Sequence, residues 1–173
     1  MNSFINRMIR AAKLDTNLYE EVEADESAFG QAMAVVILSS LAAGIGNYFV
    51  TGFGGLIWGT ITALVGWFIW AYLVYFIGVK FLSEPQTSSS PGELLRTIGF
   101  SSSPGIIRVL GVIPFLNWIL NLAASIWMLV AMVIAVRQAL DYKSTGRAVA
   151  VCVIGWIVYM VVAVVLLSIF GTN

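Results

Sequence analysis

The residues able to do chemistry fall into three places. Glu20, Glu21, Glu23, Asp25 and Glu26 crowd one short stretch, and paired carboxylates can hold a metal ion or act as general acid and base. The chain has no histidine and no second carboxylate cluster to close such a site, so these acids read as a solvated helix and partner surface. They also complement the start of the first apolar run. Cys152 is the single cysteine, which excludes an intrachain disulfide, and among Val and Ile its thiol is expected to be inert. The third place is residues 94–142, where Pro104, Pro114, Arg108, Asn117 and Asn121 interrupt a run otherwise apolar enough for a bilayer. Polar groups at that depth are costly and must find partners.

The chain that positions them is far from an ordinary soluble domain: 173 residues, 60% hydrophobic and 10% charged, with mean hydropathy +0.92. Such values point to an integral membrane protein. Nine Lys and Arg balance nine Asp and Glu, so no basic field recommends nucleic acid as a partner. The lack of histidine removes the commonest metal ligand and the usual haem ligand. No cofactor, metal or catalytic residue is expected.

About 20 apolar residues cross a bilayer, and five such runs predict an all-α, polytopic bundle with five transmembrane helices near residues 28–50, 55–79, 94–113, 117–136 and 148–170. The third is the least apolar, because Thr97, Ser101, Ser102, Ser103 and Arg108 lie in it. A four-span alternative leaves residues 94–103 on the surface. With five spans, Arg7, Arg10, Lys13, Lys80, Arg96, Arg137, Lys143 and Arg147 all fall on one side, which predicts a cytoplasmic N-terminus and an outside C-terminus.

Residues 1–27 then form a cytoplasmic or interfacial segment. Within it Phe4, Ile5, Met8, Ile9 and Ala12 share one helical face and Asn6, Arg7, Arg10 and Lys13 the other. This is the pattern of an amphipathic helix on an anionic membrane surface, or of one docked on the protein itself.

Arg108 has no acid within any span. Its donors could be met by Asn117, Asn121, an indole face, or the carbonyls of Phe100 and Leu110 that Pro104 and Pro114 free. It could also snorkel to the outer headgroups, or pair with an acid or anionic lipid from a partner. Small residues four apart, Ala42 with Gly46 and Gly55 with Gly59, permit close helix packing. Trp67, Trp127 and Trp156 lie mid-span and are expected to face other helices. Asp141, four residues after Arg137, suggests a local ion pair.

The stretches LYEEVEADESAFGQA, LLRTIGFSSSPG, Trp127, residues 137–140 and STGRA at 144–148 resemble the Yip family of Ypt/Rab-interacting membrane proteins, in the short form found in prokaryotes. That resemblance implies a five-span bundle with a cytoplasmic N-terminus, in a prokaryotic plasma membrane. Eukaryotic members act in vesicle traffic and bind small GTPases; the short segment ahead of the first span here weighs against small-GTPase binding. The expected function is a non-enzymatic membrane scaffold or accessory subunit, meeting membrane lipids and another membrane protein or larger complex. A transporter or channel component, or a membrane-shaping protein, is the alternative.

Overall fold

A computed structural model describes residues 4–170, which are helical almost throughout, with no strand among them. Two short helices, α1 (Phe4–Ala12) and α2 (Thr16–Ala24), precede α3 (Phe29–Gly46) and α4 (Tyr48–Lys80). After a polar loop come α5 (Pro91–Ser101), a 3-10 segment (Ser103–Val112), α6 (Asn117–Ala139) and α7 (Thr145–Phe170). Four helices are long and apolar enough to cross a membrane: α3 with the turn before it, α4, α6 and α7. These match four of the five expected runs to within a few residues at most ends.

The third expected run is the correction. It is not one helix: α5 stops at Ser101, and a 3-10 segment continues to Val112. Pro104 and Pro114 explain the break, since neither can donate the backbone hydrogen bond of an α-helix interior. α5 is nevertheless packed inside the protein, since every residue from Leu94 to Ser101 is buried. Its start is fixed by a capping box, in which Ser90 and Glu93 satisfy each other's backbone N–H groups. Its hydroxyls are satisfied locally: Thr97 donates to the Glu93 carbonyl at 3.0 Å and Ser101 to that of Ile98 at 2.7 Å.

Around this buried centre the long helices pack by close approach. The chain reverses between α3 and α4, with Ser40 and Thr60 hydroxyls 3.2 Å apart across the pair. Gly52 completes the turn at φ 62°, ψ −167°, a backbone state that side chains other than glycine's do not tolerate. Gly46 lies so near the Arg108 carbonyl that an added Cβ would sit 2.0 Å from it. Ala42 beside it is buried, so this small-residue pair does pack. The pair Gly55 and Gly59 shows no such approach, since a Cβ at Gly59 would meet nothing within 4 Å and the atoms nearest one at Gly55 belong to its own helix's Thr51.

Candidate functional site

Polar side chains gather at two levels, and the first is the charged end. Asp15 caps α2, accepting from the Asn17 N–H at 3.0 Å. The turn it makes folds α1 back beside the acids. Arg7 donates to Glu21 at 3.0 Å, to Asp25 at 2.8 Å and to Gln31 at 3.1 Å. Arg10 reaches Asp15 at 2.7 Å and Glu21 at 2.5 Å. The anionic groups these two arginines meet in the structure are the chain's own carboxylates. The helix is turned accordingly: Arg7 is buried, Ile5 and Ile9 are exposed, and Phe4 and Met8 lean on the core. Lys13 stays exposed.

Buried Arg96 closes the same end from α5. Its Nε donates to the Val22 carbonyl at 2.9 Å and its Nη2 to that of Glu23, so it holds the last turn of α2. Burial, and then the charges of Asp141, Glu93 and Glu20, push the Glu23 carboxyl up to about 7. Ser27 and Arg7 hold Asp25 below its ordinary value. Across the loops, Glu84 pairs with Arg147 at 3.3 Å, and Gln86 donates to the Asp141 carbonyl at 3.0 Å. Arg137 passes over the expected Asp141 and donates to the carbonyls of Tyr142 at 3.2 Å and Lys143 at 3.3 Å.

The second level runs along one face of α6, half-buried at Asn117 and Asn121 and exposed at Ser125. Asn117, Asn121 and Ser125 are spaced four apart, so they stack on that face. Asn117 Nδ2 donates to the carbonyls of Gly46 at 2.7 Å and Gly111 at 3.1 Å and lies 3.2 Å from Asn47 Oδ1. It thereby ties α3, the 3-10 segment and α6 together. Asn121 donates to the Asn117 carbonyl at 2.9 Å. Ser125 donates to the Asn121 carbonyl at 2.7 Å and accepts from Arg108 Nη2 at 2.9 Å.

Arg108 thus reaches α6, but through Ser125 and neither asparagine. It also leaves the proline-freed carbonyls alone: that of Phe100 accepts from Ser103 Oγ at 2.8 Å, and that of Leu110 from the Ile113 N–H at 3.3 Å. Pro104 is wholly buried beside it, and Pro114 opens the short turn Pro114–Leu116 that leads into α6. Arg108 lines a cavity of ≈ 500 Å³ together with Ser39, Ser102, Ser125, Trp70 and Trp156.

Of the mid-span indoles, Trp67 donates to the Leu95 carbonyl at 3.0 Å and Trp127 to that of Ala12 at 2.8 Å, whereas Trp156 is largely exposed. The sequence reading passed over Trp70, which nothing in its spacing distinguishes. Ser125 was also missed, although the four-residue rhythm from Asn117 signals it.

The cavity holds a cation and hydroxyls but no carboxylate, histidine or thiol among its lining residues, and no group of His, Cys, Asp or Glu among the described residues could hold a metal. Its polar lining offers hydrogen-bond donors, from the Arg108 guanidinium, the serine hydroxyls and the Trp70 indole. Compared with known families, the chain matches the Yip1 domain over residues 17–167. No curated protein and no solved structure matches it. A match across most of the chain, joined to helices apolar enough for a bilayer, makes this an integral membrane protein of the Yip1 domain family.

Proposed function

We propose that this protein is a non-enzymatic membrane scaffold or accessory subunit that binds another integral membrane protein. In this reading the chain crosses the bilayer five times, the third time through α5 and the 3-10 segment, with the charged end in the cytoplasm of a prokaryotic cell. The charge bias supports that orientation, since with five spans eight of the nine Lys and Arg fall on one side and only Arg108 lies within a span.

The observation that carries the partner is the second half of α7. From Trp156 onward every described residue of α7 is exposed, including Trp156 at 59%, Val161 at 58% and Val164 at 60%. The described side chains from Trp156 to Val162, with Val164, leave a long apolar surface on this half of the helix, and that surface suits another helix. In lipid, such association runs on shape and van der Waals contact. Small-GTPase binding has no comparable support in the structure.

A photo-crosslinking residue at Val161, followed by mild-detergent purification and mass spectrometry, tests this. One dominant membrane-protein adduct is expected, absent when the probe sits at buried Val151. Recovery of uncrosslinked monomer alone overturns the scaffold and favours a transporter or lipid-active protein.

A further inference from the structure

The cavity around Arg108 contains donors in search of an acceptor. Arg108 Nε and Trp70 Nε1 are both buried without a hydrogen-bond partner, and both residues line the same ≈ 500 Å³ space. The four long helices α3, α4, α6 and α7 contain no Asp or Glu from Phe29–Gly46, Tyr48–Lys80, Asn117–Ala139 or Thr145–Phe170. The guanidinium therefore has no counter-charge from the walls that surround it. A buried cation and a buried indole N–H without acceptors are each costly, and an anion entering the cavity removes both costs together.

The shape of the space says which kind of anion. A second cavity of ≈ 540 Å³ lies beside the first, between α4, α6 and α7, and Trp70, Leu129, Met132 and Trp156 line both. The second is walled by Val, Leu, Ile, Met and Trp side chains, with Thr145 and Cys152 its only others. A cationic, hydroxyl-bearing chamber beside an apolar trough fits a molecule with an anionic head and an alkyl tail. A small soluble anion would use the chamber and leave the trough without purpose.

We propose that this compound cavity binds one anionic phospholipid, its phosphate against Arg108 and Trp70 and an acyl chain in the trough between α4, α6 and α7. Arg108 is suited to the head: Nη2 is steadied by Ser125, which leaves the Nε edge for a charge-assisted bond to phosphate. The hydroxyls of Ser39 and Ser102 line the same chamber. The site does not depend on the scaffold reading, since it needs no protein partner.

The test uses the full chain, stripped of lipid in neutral detergent and followed by native mass spectrometry. Phosphatidylglycerol, diacylglycerol and inorganic phosphate are each added as the probe. One bound phosphatidylglycerol is expected, with Arg108→Gln weakening it about tenfold or more, as loss of a charge-assisted hydrogen bond does. Trp70→Phe keeps the ring, removes the N–H, and is expected to weaken binding several-fold with an unchanged melting profile. It decides the matter should Arg108→Gln fail to fold. Equal retention of phosphatidylglycerol by Trp70→Phe and by any folded Arg108→Gln protein overturns the site. So does diacylglycerol bound as tightly as phosphatidylglycerol, which removes the role of the head. Displacement of the lipid by millimolar inorganic phosphate overturns it in favour of a soluble anion.

Discussion

Two arginines in this chain are surrounded by the same kind of protein and used in opposite ways. Arg96, at the charged end, is 8% exposed and directs two donors at the carbonyls that end α2. Arg108, within the bundle, makes one side-chain hydrogen bond and leaves Nε buried and unmatched. The first arrangement is what a fold does with a guanidinium it needs for its own stability. The second leaves interaction capacity over, and capacity held in a low-dielectric interior marks recognition more than support.

The sharpest way to break this comparison is to remove Arg96. Arg96→Met orphans the buried Val22 carbonyl and frees the last turn of α2, so a loss of about 3 kcal/mol is expected. Melting of the detergent-purified protein measures it, and early proteolysis within residues 1–27 locates it. Stability unchanged within error would mean that the charged end is held by α1 and its ion pairs alone.

Next in size is Gly46→Ala. The added Cβ would stand 2.0 Å from a backbone carbonyl, that of Arg108, which cannot swing aside as a side chain can. A loss of about 2 kcal/mol is expected from such overpacking, read as a lowered melting temperature, whereas Gly59→Ala should cost almost nothing. Equal effects at the two positions would remove the close approach of α3 to the 3-10 segment as a determinant of the fold.

A pH effect follows from Glu23. Its folded carboxyl titrates at about 7 against an ordinary 4.5, so between those values the folded state holds a proton the unfolded chain has released. Stability contributed by that proton is complete below pH 4.5 and is lost as pH rises through 7. Glu23→Gln should therefore be more stable than the parent at pH 8, by about 1 kcal/mol after allowance for partial exposure and screening. The advantage should vanish by pH 4.5. A constant difference across that range would assign the effect to packing.

The smallest effect is expected at Arg108. In lipid-free detergent Arg108→Leu should lie within about 1 kcal/mol of the parent, because it gives up one hydrogen bond and relieves an unmatched buried donor. In vesicles containing phosphatidylglycerol the parent should gain stability that the variant does not, since a ligand of the folded state stabilises by mass action. A collapse of folded yield in detergent would place Arg108 beside Arg96 and end the contrast.

Much of this architecture was legible in the chain. The four long helices follow from length and apolarity, which need no knowledge of neighbours. The broken third segment was half legible: Pro104 and Pro114 announced the break, but Thr97 and Ser101 looked like groups needing partners when each is satisfied by its own helix. The faces of α1 divide differently from the expectation, since its inward side joins Phe4, Met8 and Ala11 with Arg7 while Ile5 and Ile9 stay exposed; periodicity says only that a helix has two faces. Which face turns inward depended on Glu21 and Asp25, 14 and 18 residues from Arg7. For Arg108 the sequence supplied the question, an intramembrane cation with no acid nearby. The answer turned on Ser125 and Trp70, whose approach is a matter of tertiary packing.

The tie made by Asn117 bears on how the chain is made. The carbonyl of Gly46 and the side chain of Asn47 meet a residue synthesised 71 and 70 positions later. At about 5–20 residues per second, roughly 4–14 s separate their emergence from the ribosome. For that interval the α3–α4 hairpin is inserted with its far turn unfinished, its polar groups served by water, headgroups or the insertion machinery. Arrival of α6 dismisses those substitutes, so biogenesis of the first hairpin ends only with the third long helix in place, and a ribosome stalled before Asn117 should leave a hairpin open to quality-control proteolysis.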